Sequence, residues 1–298
     1  IGDAAGESTQ GSGSVAMGVY AGLDTQEPWG VAIGYTAGRD TQKKGSVAIG
    51  YTAGRDSQQS HSVAIGYQTG TTSQHSNCVA IGNRAAIIGQ NTSAVAIGSF
   101  AGQSGQHGSA IAIGREAGES GQRFNSVAVG PGAGKITQGT NSVAIGTSAA
   151  RDDQSYDCVA IGYLAGKFTQ KNRSVAIGYS AGESVQKTLS VAIGNEAGKV
   201  TQDVKSVAIG SFAGRSNQGT LSVAIGNEAG NVQQQNSCIA IGSAAGQLKQ
   251  NTAAVAIGVN AGQSGQYASA IAIGNSAGNS GQQSYAVAIG RLTGETSQ

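Results

Sequence analysis

Glutamine is the polar side chain with the most regular spacing in this 298-residue chain. A primary amide offers both donors and an acceptor, so identical amides stacked at strand spacing can hydrogen-bond to one another and cap turn carbonyls. No ligand would repeat along such a row, and we interpret it as an inward-facing structural ladder. Its 19 members are spaced by 16 residues: Gln10, Gln26, Gln42, Gln58, Gln74, Gln90, Gln106, Gln122, Gln138, Gln154, Gln170, Gln186, Gln202, Gln218, Gln234, Gln250, Gln266, Gln282 and Gln298.

Residue types that bind metals or perform catalysis are few and scattered. Asp24, Asp40 and Asp56 share one repeat position and would suit calcium, but Arg39 and Arg55 stand beside two of them and offset their charge. No two of the three histidines have a metal-ligand spacing, and the Gly-rich bends lack the Gly-Lys-Ser/Thr of a phosphate loop. We therefore predict no metal, no cofactor and no enzymatic activity.

Three cysteines share one repeat position at intervals of 80 residues: Cys78, Cys158 and Cys238. Five coils of a stacked repeat would separate neighbouring cysteines by about 24 Å, well beyond the reach of a disulfide within one chain. We interpret them as small packing residues. Their spacing, with the likeness of residues 91–122 to residues 251–282, indicates duplication of blocks of five or ten coils.

Two surface features are candidates for carbohydrate chemistry. Tyr35, Tyr51 and Tyr67 occupy the same position of three successive repeats. Such a strip would suit contact with a sugar ring, although ring-on-ring stacking along a sheet explains it equally well. Asn91 and Asn172 begin glycosylation sequons, which have meaning only in a protein secreted by a eukaryotic host.

The element that must position these side chains is a 16-residue repeat built on Val-Ala-Ile-Gly. With Val15 as position 1, position 2 is Ala, position 4 is Gly, positions 7 and 8 are mostly Ala-Gly, and position 16 is always small. The alternation of large and small residues from position 16 to position 4 indicates a strand, and the glycines indicate bends. Sixteen residues are too few for a helical hairpin and suit one coil of a parallel β-solenoid.

The sequence thus predicts an all-β parallel β-solenoid of about 18 coils, with 16 residues per coil. We expect one continuous array over residues 1–298, forming a segment of a longer repetitive protein. The alternation predicts valine and isoleucine inside each coil, and the small Ser/Ala face outside, where it would need a second surface. The predicted core ladder comprises Val47, Ile49, Val63, Ile65, Val143 and Ile145.

Composition excludes several partners. The formal net charge is +2 with both signs scattered, which gives no basic stripe for nucleic acid. No run approaches 18 apolar residues, so we expect no membrane insertion by this segment.

The repeated Ser-Val-Ala-Ile-Gly, as at residues 46–50 and 142–146, resembles the head repeat of YadA-like trimeric autotransporter adhesins. The intervening Ala-Gly-x-x-x-Gln is similar to repeats in fibre proteins of large algal viruses and phage tails. The resemblance covers the whole chain and implies a left-handed β-roll that forms trimers, with Val47 and Ile49 inside each roll and Ser46 and Ala48 where rolls meet. The repeat is 16 residues here, against about 14 in the adhesins, and the 298 residues include no coiled-coil stalk.

We therefore expect a structural fibre or filament segment at an extracellular, cell or virion surface, which acts as a rigid spacer or adhesin scaffold. Its partners would be further copies of itself, as a trimer or filament associating through the Ser/Ala face, and a host-surface glycan or protein. Two alternatives remain open at this stage. One is an ice-binding solenoid that uses the Ser/Ala face, and the other is a glycan-binding adhesive module that uses the tyrosines.

Overall fold

The computed structural model describes residues 1–296 and confirms the parallel β-solenoid of about 18 coils. It divides into two compact units, Ile1–Ser148 and Ala149–Gln298, each of which repeats the same 16-residue coil. Each coil contributes one strand to a Val-Ile sheet, formed by positions 1 to 3, and one to a Gln sheet, which ends at position 12. Gln298, the last predicted member of the glutamine ladder, lies outside the described residues.

Bounds of the strands follow the repeat closely. In Ile1–Ser148 the Val-Ile sheet contains Val15–Met17, Val31–Ile33, Val47–Ile49, Val63–Ile65, Val79–Ile81, Val95–Ile97, Ile111–Ile113, Val127–Val129 and Val143–Ile145. The Gln sheet of this unit contains Thr9–Gln10, Thr25–Gln26, Thr41–Gln42, Ser57–Gln58, Thr72–Gln74, Ile88–Gln90, Ser104–Gln106, Ser120–Gln122 and Ile136–Gln138.

In the second unit the Val-Ile sheet contains Val159–Ile161, Val175–Ile177, Val191–Ile193, Val207–Ile209, Val223–Ile225, Ile239–Ile241, Val255–Ile257, Ile271–Ile273 and Val287–Ile289. Its Gln sheet contains Asp153–Gln154, Thr169–Gln170, Val185–Gln186, Thr201–Gln202, Ser216–Gln218, Val232–Gln234, Leu248–Gln250 and Ser264–Gln266, followed by isolated bridges at Ser280 and Thr296.

Pairing between coils places identical repeat positions side by side. Val47 pairs with Val63, and Ile49 pairs with Ile65, in parallel register. The backbone bonds continue through the bends, where the amide of Gly50 donates to the carbonyl of Ile33 at 2.8 Å. Every repeat position therefore forms a straight row within each unit.

The predicted orientation of the strand is wrong. Ala48 and Ser46 are fully buried, whereas Val47 and Ile49 on the same strand are only half-buried and face outward. The same holds for Val63 and the other members of the predicted core ladder (Ile65, Val143 and Ile145), of which Ile145 is 39% exposed. Alternation defines two faces of a strand but does not determine which one points inward.

The physical reason for this inversion is the narrow interior of the coil. A β-carbon added to Gly54, at position 8, would lie 3.0 Å from Oε1 of Gln58 and 3.3 Å from Cβ of Ala48. Position 2, position 8 and the glutamine therefore converge on the same small space. Only methyl groups, hydroxyls, thiols and one extended amide fit there, and the branched side chains are placed outside.

The glutamines fill this interior. Those from Gln26 to Gln282 are at most 1% exposed, whereas Gln10 in the first coil is exposed. Nε2 of Gln106 lies 2.8 Å from the carbonyl oxygen of Val95 in the opposite sheet and 3.2 Å from that of Ala110. It also donates to Oε1 of Gln122 at 3.0 Å, while its own Oε1 accepts from Gln90 at 3.1 Å.

Similar amide bonds link successive coils in both units. The Nε2–Oε1 distances are 2.9–3.4 Å from Gln10 to Gln138. They are 2.9–3.2 Å from Gln154 to Gln282. Each amide thus joins the two sheets of its own coil and also joins its coil to the next.

Replacement of Gln106 by Leu is expected to destabilise the protein by roughly 3 kcal/mol or more, because buried carbonyls and the amide of Gln90 lose their partner. Gln103→Leu is the matched control, since Gln103 belongs to the same coil but is half-exposed. Guanidinium denaturation followed by far-UV circular dichroism compares the two variants. Equal shifts of the midpoint would contradict the structural role of the buried amide.

Glycine at position 4 is required by both conformation and contact. Gly98 has φ +128°, and a β-carbon there would lie 2.7 Å from the carbonyl oxygen of Gly114 in the next coil. Gly89 at position 11 also has a positive φ, +64°, but no atom lies within 4 Å of a β-carbon added there.

Gly89→Ala should cost about 1–2 kcal/mol because of left-handed backbone strain alone, and Gly98→Ala roughly 3 kcal/mol or more because a clash is added to that strain. Thermal melting of the two variants tests this order, and a smaller loss for Gly98→Ala would refute it.

Candidate interaction surface

The outward side chains at positions 1 and 3 form a continuous apolar surface in each unit, which we call the Val-Ile face. Ile113, Ile145 and Ile241 are 37–39% exposed, whereas Ala112 on the same strand as Ile113 is fully buried. The parallel register keeps position 1 beside position 1, as in Val95 with Ile111, and position 3 beside position 3, as in Ile49 with Ile65. The face is therefore regular as well as apolar.

Charge is absent from this part of the repeat. The 34 charged residues, 18 basic and 16 acidic, all lie at positions 5, 6, 9, 10, 11, 13, 14 and 15. Ion pairs form mainly away from the Val-Ile sheet, such as Lys43 with Glu27 at 2.7 Å and Lys135 with Glu119 at 3.2 Å. The Val-Ile face is thus an uncharged strip on a surface whose other sides carry charges of both signs.

Its extent is comparable with a protein interface. A three-residue strand is ~10 Å long and nine coils at ~4.8 Å extend ~40 Å, so each unit presents roughly 400 Å². Each unit by itself therefore presents roughly half of what each partner buries in a standard protein–protein interface.

The tyrosine strip stacks on itself. The rings of Tyr35 and Tyr51 are 5.2 Å apart and nearly parallel at 11°, as are those of Tyr51 and Tyr67 at 10°. Tyr20 packs edge-on against Tyr35 at 6.5 Å. Both faces of the Tyr51 ring are therefore occupied by neighbouring rings, and a sugar can reach only the ring edges and hydroxyls of this residue.

Arginine pairs with two of the three aspartates in the row, Asp40 and Asp56. Nε of Arg55 donates to Asp56 at 2.5 Å and its Nη2 donates to the second carboxylate oxygen at 3.1 Å. This hydrogen bond is the main cause of the lowered pKa of Asp56. Arg39 and Asp40 form the same pair. Within residues 1–296, no group of three or more His, Cys, Asp or Glu side chains could hold a metal ion.

The two sequons lie at a corner of the coil. Asn91 and Asn172 are half-exposed, and the carbonyl oxygen of Asn91 accepts from the amide of Ala94 at 3.2 Å. Ser174, the hydroxyl residue of the second sequon, is fully buried and donates to the carbonyl of Lys171 at 2.5 Å.

The Val-Ile face was missed by sequence reasoning, which assigned these residues to the core. A signal was nevertheless present, because an invariant glutamine placed inside a coil leaves little room for branched side chains. A polar groove on the Gln sheet was also missed, because its residues vary from coil to coil.

No family model, curated protein or solved structure matches this chain. The likeness of its repeat to adhesin and fibre repeats therefore remains a prediction. The part of the chain that the structure describes contains no helix with the length and apolarity needed to cross a bilayer.

The three cysteines lie inside the coils, where burial raises the pKa of each thiol. Sγ of Cys78 donates to the carbonyl of Asn91 at 2.9 Å. All three occupy repeat position 16, and burial there makes them poor nucleophiles in the folded protein.

We expect all three thiols to resist iodoacetamide at pH 8 and to react at once after unfolding in guanidinium. Mass spectrometry of the labelled protein counts the thiols that have reacted. Rapid labelling of Cys78 in the native protein would show that the coil interior is open to solvent.

The same burial predicts a pH dependence of stability. Because the folded-state pKa of each thiol is raised, ionisation above the ordinary pKa favours the unfolded chain, and stability should fall as pH rises above about 8.5.

Proposed function

We propose that this chain is a structural fibre or filament segment of a cell or virion surface, and that its copies associate side by side through the Val-Ile face. The observation that carries the proposal is the outward position of valine and isoleucine in successive coils. A solenoid that buries alanine and exposes isoleucine gains stability when a second apolar surface covers that strip.

A second copy of the chain is the occupant that best matches this face. Its valine and isoleucine rows repeat at the interval between coils, so another solenoid with a parallel axis presents side chains at the same spacing along the whole strip. The absence of charge removes the desolvation cost that a salt-bridged surface would impose. Side-by-side association is also compatible with the trimer implied by the adhesin resemblance.

This proposal changes the predicted interface. The Ser/Ala face, through which self-association and ice binding were expected, consists of side chains at positions 16 and 2 that are buried inside the coil. It is therefore not available to another chain or to ice. The rigid-spacer role is supported by the backbone and amide bonds that connect successive coils.

The test replaces three isoleucines of the Val-Ile face by glutamate, at Ile113, Ile145 and Ile241. These side chains are 37–39% exposed, so the coils should still form. The matched control places the same three charges on exposed apolar residues of the Gln sheet, at Ile88, Ile136 and Leu248. Sedimentation velocity at tens of micromolar, together with electron microscopy, measures the assembly.

We expect oligomers or filaments for the natural sequence and for the control, and monomers for the variant of the Val-Ile face. Far-UV circular dichroism must show that both variants retain the β-solenoid. A monomeric natural sequence, or an assembly that tolerates the glutamates of the Val-Ile face, would refute the proposal.

A further inference from the structure

The outer side of the Gln sheet in the second unit contains a groove of about 430 Å³. It runs across the coils between repeat positions 11 and 13, where the intervening glutamine turns inward and leaves only backbone as the floor. Its walls come from four successive coils and from two corner residues. Its polar side chains include Asp203, Asn217, Gln233, Gln235, Asn236, Lys249 and Thr252.

The first unit has a smaller groove of about 250 Å³ at equivalent positions. Its lining residues Ser57, Ser73, His75 and Ser76 lie 160 residues before Asn217, Gln233, Gln235 and Asn236, which is the interval of the block duplication. The groove is therefore a feature of the duplicated block, and the two copies differ in the chemistry of their walls. Three serine hydroxyls line the first, together with Gln59 and His75, whereas amides predominate in the second.

Gly219 gives the second groove its depth. Position 13 carries a side chain in the coils before and after it, at Asp203 and Gln235, but none at Gly219. The equivalent residue of the first unit is Gln59. A β-carbon on Gly219 would lie 2.6 Å from the carbonyl carbon of Gln235. A side chain at position 219 would therefore clash with the backbone of the next coil, and the gap corresponds to the side chain that Gly219 lacks.

Two amides of the groove are held with their donor ends available to a ligand. Oε1 of Gln235 accepts from Oγ1 of Thr252 at 3.0 Å, and Oδ1 of Asn236 accepts from the backbone amide of Thr220 at 3.0 Å. Each oxygen already accepts one hydrogen bond and keeps one lone pair, and the NH₂ group of each side chain is the donor that it offers to a ligand. Asn217 and Gln233, both exposed, add two more amides at position 11.

Charge at the two ends of the groove differs. The carboxylate of Asp203 is paired with the ammonium of Lys187. Lys249 is exposed, and no ion pair with it is found among residues 1–296. Its counterpart 160 residues earlier is Gly89. The second groove therefore combines several amide donors with one cationic end, which favours a ligand rich in oxygen that carries one negative charge.

We propose that this groove binds a short oligosaccharide that contains an acidic sugar, with the carboxylate at Lys249 and the hydroxyls along the four amides. Hydroxyl groups both donate and accept, and amides match them in both roles. The site lies on the Gln sheet, so association through the Val-Ile face would leave it open. This inference goes beyond the proposed fibre role and does not depend on it.

The test uses the full chain and a panel of acidic probes (3′-sialyllactose, a hyaluronan tetrasaccharide and an alginate trisaccharide) with lactose and cellotetraose as neutral probes. Saturation-transfer NMR and calorimetry measure binding. We expect at least one acidic probe to bind more tightly than every neutral one. The double variant Asn217→Ala/Gln233→Ala should weaken that binding by about tenfold or more.

Lys249→Gln should remove the preference for the acidic probe while neutral binding is unchanged. The matched control for the amides is Asn195→Ala/Asn227→Ala, since both residues are exposed in the same unit but lie beside the Val-Ile sheet. Circular dichroism must show native coils for every variant. The proposal is overturned if no acidic probe binds, or if the groove and control variants bind equally well.

Discussion

The hydrogen bond from one buried glutamine to the next determines what else this chain can contain. Its amide crosses the coil to reach the backbone of the opposite sheet, as from Gln106 to Val95, and it also meets the glutamine of the following coil. Such a buried amide is favourable only when its donors and acceptor are satisfied, and a periodic partner satisfies them in successive coils. The strict 16-residue spacing follows, because one insertion would leave two amides without partners.

The space that remains around this amide explains the small residues. A β-carbon on Gly54 would lie 3.0 Å from Oε1 of Gln58 and 3.3 Å from Cβ of Ala48, so the position admits no larger side chain. A conventional core uses branched residues to bury apolar area, and this interior is too narrow to hold them. Cohesion within one chain therefore depends to an unusual degree on hydrogen bonds between coils, while much of its aliphatic surface remains exposed.

Sequence reasoning could locate the strands, the bends and the register, because each depends on residues fixed by the period. It could not orient the strand, since Ser46-Val47-Ala48-Ile49 alternates identically whichever face is buried. The general preference for burying valine and isoleucine then favoured the wrong face. The width of the coil interior determines which face of the strand is buried, and this width depends on the closed coil as a whole. The groove depends on residues such as Gly219 and Lys249, whose positions in the repeat vary from coil to coil. Such residues come close together only when the coils are stacked.

The outward residues of the Val-Ile sheet and those of the Gln sheet thus differ in how much they vary along the chain. Valine and isoleucine positions hardly change along the chain, so a partner must itself be periodic to use them all, and another solenoid meets that condition. Residues at positions 11, 13 and 14 change from coil to coil, so a ligand bound there contacts a combination that is found once. The duplicated groove illustrates how this arises: the same backbone holds Ser57 and Ser73 in one unit and Asn217 and Gln233 in the other. Residues on this side can vary while the amide row, and with it the fold, is left intact.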